Sequence, residues 1–89
     1  MANLSQSLKY NIILRSEPEG GFTVIVPALP GCITYGRDLI EAQKMAVDAI
    51  RAYLFSLKKH REPIPSDNQS FITSVELRRK SGKQPFVYA

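Results

Sequence analysis

The spacing of hydrophobic and polar residues predicts a hairpin early in the chain. Residues 7 to 15 alternate between apolar and polar positions, which is the period of a half-buried strand. One face of this strand carries four large apolar side chains: Leu8, Tyr10, Ile12 and Leu14. The run from Phe22 to Val26 is rich in β-forming residues. We expect it to pair antiparallel to the first strand, with Phe22, Val24 and Val26 on its buried face.

Glycines and prolines predict where these strands turn. Gly20 and Gly21 can adopt the positive φ that a hairpin turn requires. Pro27 has no backbone N–H to donate to a ladder, so it ends the second strand. Pro30-Gly31 suits the two central positions of a type II turn. A third short strand, Cys32 to Tyr35, then completes an antiparallel meander.

A helical period follows, and it predicts one long helix from Leu39 to Lys59. Asp38 is a favourable N-cap, and Glu41 three residues later completes a capping box. The apolar residues fall on one stripe, in which alanines allow close approach to the sheet. This stripe consists of Leu39, Ala42, Ala46, Ala49, Ile50, Tyr53 and Leu57, with Val47 and Leu54 at its edge. Pro63 and Pro65 end the helix.

The segment from Ser70 to Arg78 alternates again and predicts a fourth strand. Because it follows a helix, it can lie parallel to the first strand through a right-handed crossover. The predicted fold is therefore α+β with the order β-β-β-α-β, and one helix packs on one sheet face. Residues 1–78 are expected to form a single domain, and residues 79–89 a basic and then apolar tail.

Two apolar features have no partner within this predicted fold. Ile13, Ile25 and Ile72 point to the sheet face that one helix cannot cover, and we expect a second subunit to cover it. Phe55 projects into the charged helix face beside Arg51, where it is either an isolated exposed residue or an interface anchor. The predicted partner or oligomer interface comprises Ile13, Ile25, Arg51, Phe55, Phe86, Val87 and Tyr88.

Composition is that of one small globular domain. The 89 residues are 44% hydrophobic and 22% charged, which disfavours wholesale disorder. Cys32 is the single cysteine, so no internal disulfide can form, as suits a reducing cytoplasm. No apolar stretch has the length of a signal peptide or a membrane helix. We therefore expect a cytoplasmic protein that does not enter a membrane.

The net charge of +4 allows two interpretations. It attracts nucleic acid or an acidic protein, or it reflects a solvated surface with a small surplus of lysine and arginine. The first interpretation gives an alternative function, a stand-alone oligomeric module that binds nucleic acid. Its candidate surface combines cations with an aromatic side chain for stacking. The residues are Arg15, Tyr35, Arg78, Arg79 and Lys80.

No catalytic, metal or cofactor site is expected. His60 is the single histidine and has no cysteine, aspartate or second histidine at ligand spacing. Cys32 falls on a predicted strand and is typical of a buried structural cysteine. The cationic residues from Lys58 to Arg61 are explained by the negative end of the helix dipole.

Several short motifs resemble the HicB family of antitoxins. In chain order they are Glu19-Gly20-Gly21-Phe22-Thr23-Val24, Val26-Pro27-Ala28-Leu29-Pro30-Gly31-Cys32, Gly36, Glu41-Ala42, Ala49-Ile50 and Pro63-Ile64-Pro65. The similarity covers about residues 8 to 67. It implies a partial RNase H fold with the strand order given above. It also implies pairing with HicA, a small mRNA-cleaving toxin similar to double-stranded-RNA-binding domains, which HicB proteins block by direct binding.

Two departures from the family pattern bear on function. Many HicB proteins extend into a helix-turn-helix or ribbon-helix-helix segment that binds their promoter, whereas 11 residues follow Arg78 here, so operator binding is not expected. The basic net charge is the second departure, because an inhibitor of an RNA-binding toxin is expected to present acidic surface to it, and the acidic residues here are scattered. They are Glu17, Glu19, Asp38, Glu41, Asp48, Glu62, Asp67 and Glu76.

Nuclease activity is not expected despite the RNase H resemblance. Two-metal chemistry requires converging carboxylates, and the first strand, Leu8 to Leu14, contains none. The sequence thus predicts a non-catalytic HicB-like antitoxin that binds and occludes a HicA-type toxin and forms a homo-oligomer, dimer or tetramer. Which surface serves self-association and which serves a partner stays open, as does the possibility that no toxin accompanies it.

Overall fold

The structure is a computed structural model that describes residues 7–79. Within these residues the chain forms three strands and one helix: β1 (Ile13–Ser16), β2 (Phe22–Ile25), β3 (Ile33–Gly36) and α1 (Leu39–Lys59). The strands form one antiparallel sheet in the order β1-β2-β3. The predicted α+β class and the meander are thereby confirmed.

The β1–β2 hairpin turns through its two glycines. Gly20 and Gly21 have φ values of 107° and 81°, and the N–H of Glu17 donates to the carbonyl of Gly21 over 3.0 Å. Any side chain at Gly21 would overlap the hydroxyl of Tyr35, which occupies that space. Positive φ explains glycine at both positions, and the contact with Tyr35 adds a second reason at Gly21. The turn leads into the register that pairs Ile13 with Ile25.

The turn between β2 and β3 is the predicted type II turn. The N–H of Cys32 donates to the carbonyl of Leu29 over 2.9 Å, and Gly31, in the third position, has φ 83°. Leu29 is fully buried with Val26 and Cys32, so this turn carries its own small core. The hydroxyl of Tyr53 on α1 donates to the carbonyl of Pro30 over 2.8 Å and ties the turn to the helix.

The first strand is shorter than predicted. Its alternation spans residues 7 to 15, yet β1 begins at Ile13. The reason lies in the backbone N–H groups of Lys9 and Asn11, which donate to the side chains of Asn68 and Asp67 rather than to a neighbouring strand. The other strand ends differ from prediction by one residue: β2 ends at Ile25, and β3 is Ile33–Gly36.

The helix has the predicted bounds, and its N-cap is confirmed. The Asp38 carboxylate accepts from the N–H of Glu41 over 2.8 Å. The return bond of the capping box goes one residue further back, because the Glu41 carboxylate accepts from the N–H of Arg37 over 2.7 Å. Ala42 and Ala46 are buried against Val24 and form the core between helix and sheet.

The prediction of an apolar stripe that packs on the sheet was wrong for one residue in the first turn of the helix. Leu39 is 54% exposed, because it lies in the first turn of α1, ahead of the alanines that contact the sheet. Val47, at the edge of the stripe, is also exposed, and the other stripe residues are buried or half-buried. Ala49, Ile50, Tyr53 and Leu54 pack on the Val26–Leu29–Cys32 core.

The predicted fourth strand, Ser70 to Arg78, is not confirmed. The structure assigns no strand to residues 70–79, and every one of them is exposed. The partial RNase H-like arrangement, which requires that strand, is therefore not confirmed either. The connector before it is anchored, since Asp67 is 5% exposed and accepts from the N–H of Asn11 over 2.8 Å.

Candidate interaction surfaces

The sheet face opposite the helix carries a row of three isoleucines. Ile13 pairs with Ile25, and Ile25 pairs with Ile33 on the third strand. Strand spacing makes the row about 10 Å wide. Ile13 and Ile33 are exposed, and Ile25 is half-buried. We call Ile13, Ile25 and Ile33 the open-face row.

Sequence reasoning placed two of these three residues correctly and missed the third. Ile33 alternates with the buried Cys32, and that alternation is the signal that could have found it. Ile72, which was expected on this face, is not in a strand; it lines a cavity with Asn11, Pro27 and Ala28. The expectation for Ile72 was wrong because it depended on the fourth strand.

A polar network adjoins the open-face row. Arg15 lies 3.5 Å from the carboxylate of Glu17, which also accepts from the hydroxyl of Thr23 over 2.5 Å. The Thr23 hydrogen bond and the Arg15 guanidinium hold the pKa of Glu17 below its ordinary value, although partial desolvation acts in the opposite direction. The hydroxyl of Tyr35 donates to the carbonyl of Gly20 over 3.0 Å. The row is thus apolar with a hydrogen-bonded polar border.

A groove of about 530 Å³ lies between the start of the chain and the helix. We call it the helix groove, and it is lined by Leu8, Tyr10, Val47, Ile50, Arg51 and Leu54. The hydroxyl of Tyr10 donates to the carbonyl of Pro65, and burial, with the nearby Asp67 carboxylate, raises the pKa of that phenol. Leu8 and Val47 are exposed at its walls, so it is an open apolar surface with a cation at its rim.

Phe55 is 69% exposed and lines a separate depression with Lys58 and Lys59. Arg51, one turn earlier, lines the helix groove instead. The structure therefore places these two predicted interface residues in different depressions. Their interface role stays a prediction, as does that of Phe86, Val87 and Tyr88, which lie outside the described residues.

The structure does not gather the basic candidates into one surface. Arg15 and Tyr35 lie on the open face, one on each side of Thr23, and both make the contacts described above. Arg78 and Arg79 belong to the exposed segment after Ser70, where they line a depression with Glu76 and Leu77. The fifth candidate, Lys80, lies outside the described residues.

The described side chains offer little reactive chemistry. Across residues 7–79, no three His, Cys, Asp or Glu side chains come together as a metal site would require. Burial raises the pKa of the Cys32 thiol, which keeps it protonated. A ring nitrogen of His60 lies 2.8 Å from the carbonyl of Ser56 at the end of α1. The helix in this part of the chain is not apolar enough to cross a membrane.

The family of the chain follows from comparison with known proteins. Residues 10–80 match the family described as HicB-like antitoxin of bacterial toxin-antitoxin system. That range contains all three strands, the helix and the exposed segment after Ser70. The chain belongs to this family of HicB-like antitoxins. The resemblance found in the sequence motifs is thereby confirmed, and membership indicates a non-catalytic role in a toxin–antitoxin system.

Relatives of this HicB-like chain occur in archaea and cyanobacteria. It is 50% identical over 66 residues to a UPF0150 protein of Thermoplasma acidophilum, a match that covers 74% of this chain and 96% of the relative. It is 32% identical over 63 residues to a UPF0150 protein of Synechocystis, covering 71% and 80%. A UPF0150 protein of Archaeoglobus fulgidus is 36% identical over 55 residues, covering 62% and 78%.

Proposed function

We propose that this HicB-like chain is a non-catalytic antitoxin that binds a HicA-type mRNA-cleaving toxin and occludes its RNA-binding and catalytic surface. The observation that carries the proposal is the family match, which extends from residue 10 to residue 80 and includes every element of the fold. Inhibition by occlusion requires contact area and no chemistry on this chain. It accords with a fold whose described residues present apolar surface and no metal cluster.

The open-face row is the surface that we propose for the toxin. A stable protein interface buries roughly 800 Å² on each partner, with an apolar centre and a polar rim. Ile13, Ile25 and Ile33 supply apolar side chains in one row across all three strands, at the end of the sheet away from the β1–β2 turn. Glu17 and Glu19, on the β1–β2 turn, add carboxylates at one end of the face. An enzyme that binds RNA presents cations, which these carboxylates would meet.

A variant of Ile33 tests this assignment. Ile33→Lys places a charge in the proposed interface without entering the core, because Ile33 is 61% exposed. We expect at least about a tenfold loss of affinity for the toxin, the effect of removing one central apolar anchor. Binding is measured by calorimetry with the toxin recovered from the host.

The matched control is Ile40→Lys, because Ile40 is the same residue type and lies on α1, away from the open face, where it is 83% exposed. Its affinity for the toxin should equal that of the wild type. If the Ile33 and Ile40 variants bind equally well, the toxin does not occupy the open-face row.

Self-association is the second part of the proposal. A single helix leaves the helix groove, the open-face row and the segment after Ser70 uncovered within the described chain. For so small a domain, burial of such surface between copies is a ready source of stability. We propose that the chain forms a homo-oligomer built on a dimer. We also propose a cytoplasmic location, because there the chain would meet a toxin that acts on mRNA.

The alternative, a stand-alone module that binds nucleic acid, has less support. Arg15 is paired with Glu17, and the hydroxyl of Tyr35 is bound to the carbonyl of Gly20. A surface for backbone phosphates needs several cations side by side, and the adjacent cations Lys58, Lys59 and Arg61 at the end of α1 are not among the residues of this candidate surface. Measurement of RNA and DNA retention at low and high salt decides it: retention that falls steeply with salt would favour the module over the antitoxin.

A further inference from the structure

The segment from Phe71 to Arg78, called the arm below, has the sequence of a strand but pairs with no strand among residues 7–79. Its apolar residues are exposed, with Phe71 at 78%, Val75 at 82% and Leu77 at 50%. From Ile72 to Arg78 no backbone group makes a hydrogen bond to another described residue. An extended apolar segment without ladder bonds has neither burial nor hydrogen bonds to offset its ordering entropy. We therefore expect the arm to pair with the edge of another strand.

The start of the arm is fixed. The carbonyl of Ser70 accepts from the side-chain nitrogens of Asn11, over 2.8 Å, and Lys9, over 3.4 Å. The same Lys9 ammonium lies 4.8 Å from the centre of the Phe71 ring. Together with the buried Asp67, these contacts hold the arm beside residues 9–11, ahead of β1.

These contacts also fix the side on which the arm leaves. Asp67, Ser70 and Ile72 line one cavity with Asn11, Pro27 and Ala28. Pro27 and Ala28 follow the end of β2, so the arm leaves on the β2 side of residues 9–11. The outer edge of β1 is on the other side. The arm cannot pair with its own β1 edge unless the bonds to Lys9 and Asn11 break.

On the outer edge of β1, backbone groups have no ladder partner among the described residues. The Glu17–Gly21 bond places residue 17 in a hydrogen-bonded pair with β2, and alternation then gives Arg15 and Ile13 the same role. The N–H and C=O groups of Leu14 and Ser16 therefore point away from the sheet. The helix groove continues this edge on the helix side, through Leu8 and Tyr10. An added strand would find both ladder bonds and an apolar surface there.

We propose that the arm of one copy pairs with the outer edge of β1 in a second copy. Its apolar residues beyond the fixed start, Val75 and Leu77, then cover the helix groove, and the alternate face carries Glu76 toward the exposed Arg15. Each chain has one arm and one outer β1 edge. Two copies that exchange arms therefore fill both edges and close as a twofold dimer.

A second copy fits better than another protein for a structural reason. Arm and edge occur on the same chain in equal number, and once one arm has paired, the second pairs at high effective concentration. The arm also lies within the residues that match the family. The inference rests on the self-association proposed above, but it does not depend on toxin binding.

The test combines molar mass with amide hydrogen exchange on the full chain. Light scattering should give about twice the 10.0 kDa of one chain, and the amides of residues 72–78 should be protected in that dimer. Val75→Lys should return the mass to that of one chain and abolish the protection. Ser74→Lys, a neighbouring change on the polar face of the arm, should leave both unchanged.

Each other outcome overturns the exchange in a recognisable way. A monomeric wild type contradicts self-association as well. A dimer with unprotected arm amides contradicts the arm exchange alone, and so does a dimer that persists in Val75→Lys. A monomer with protected arm amides shows that the arm folds onto its own chain. Circular dichroism confirms that Val75→Lys keeps its helix, as expected because Val75 is 82% exposed.

Discussion

At position 36 the fold leaves no space for a side chain, because the helix lies directly against the backbone there. Gly36 is buried at the end of β3, where the helix begins to cross the sheet. A Cβ there would overlap the backbone nitrogen and Cα of Ala42 and lie 2.9 Å from its Cβ. Backbone atoms cannot move aside as a flexible side chain can, so the close approach of α1 to the sheet requires glycine at this position.

Gly36→Ala should therefore destabilise the domain by about 3 kcal/mol, the upper range for overpacking. The control is Gly20→Ala, where nothing lies within 4 Å but φ is 107°, and where we expect about 1 kcal/mol of backbone strain. Urea unfolding of both variants at one protein concentration measures the difference. A Gly36→Ala variant as stable as Gly20→Ala would show that the helix is not so close to the sheet.

Glu17 makes the stability of the hairpin depend on pH. Folding lowers the pKa of its carboxyl through Thr23 and Arg15. A group with a lowered pKa stabilises the folded state above its unfolded pKa, roughly 4.3, and that contribution is lost as pH falls through the lowered value. The contribution is thus complete at neutral pH and absent in strong acid.

Glu17→Gln should lower the melting temperature at neutral pH, and the difference from the wild type should vanish in strong acid, once the pH is below the lowered pKa of the Glu17 carboxyl. Glu19→Gln is the matched control on the same turn, because Glu19 is exposed and has no hydrogen bond or ion pair to another described residue. Thermal unfolding across the pH range follows both. A Glu17→Gln deficit that is equally large in acid would contradict the electrostatic explanation.

Local signals explain which elements could be predicted from the sequence. The bounds of α1 were predicted correctly because Asp38, the alanine stripe and Pro63 act within a few residues of each helix end. The hairpin and the type II turn depend on glycines and prolines in the same way. Alternation also placed Ile13 and Ile25 on the open face.

Contacts between residues far apart in the sequence explain the features that could not be predicted. β1 is short because the backbone N–H groups of Lys9 and Asn11 donate to side chains 59 and 56 residues away in the sequence. The period of apolar residues cannot predict such distant contacts. The fourth strand was predicted from the alternation of the arm, but alternation does not say which sheet edge, or which chain, receives a strand. Arg51 and Phe55 are one helical turn apart, yet the groove that residues 8 and 10 form with the helix includes Arg51 and not Phe55.

The end of the helix contains an arginine in a conformation that favours glycine. The N–H of Arg61 donates to the carbonyl of Lys58 over 3.1 Å, and that of Glu62 to the carbonyl of Leu57 over 2.9 Å, which is a Schellman motif. Arg61 has φ 57°, in the left-handed region. The motif would normally place glycine there.

Arg61→Gly should accordingly stabilise the domain by about 1 kcal/mol, since it relieves the left-handed strain. Arg61→Ala is the control, because it removes the same charge and side chain but keeps the strain, and it should give no such gain. Urea unfolding distinguishes them. Equal stability of the glycine and alanine variants would mean that the backbone at residue 61 is not strained.

At the scale of the whole molecule, Phe55 remains a predicted interface residue on a surface of its own. Phe55→Asp should not alter the unfolding free energy, because the ring is 69% exposed, but it should weaken self-association or toxin binding. Light scattering and calorimetry measure these two quantities. If neither changes, Phe55 is an exposed residue without a role in binding.

The exposed apolar surface of the described residues lies in separate places. The open-face row faces away from the helix, whereas the helix groove adjoins Leu8 and Tyr10, and the arm begins beside residues 9–11. If the proposed arm exchange forms the dimer, both open-face rows stay free, so that each copy could hold one toxin. The two proposals together would account for more exposed apolar surface than a monomer needs.

The most direct test of the antitoxin account is a titration of ribonuclease activity. The tagged protein is used to recover its partner from the native host, the partner is purified alone, and its cleavage of mRNA is followed as this chain is added back. The account predicts that a small ribonuclease is recovered and that its activity falls to zero at a fixed stoichiometric ratio. Recovery of the homo-oligomer alone, or cleavage that continues in the presence of excess chain, would contradict it.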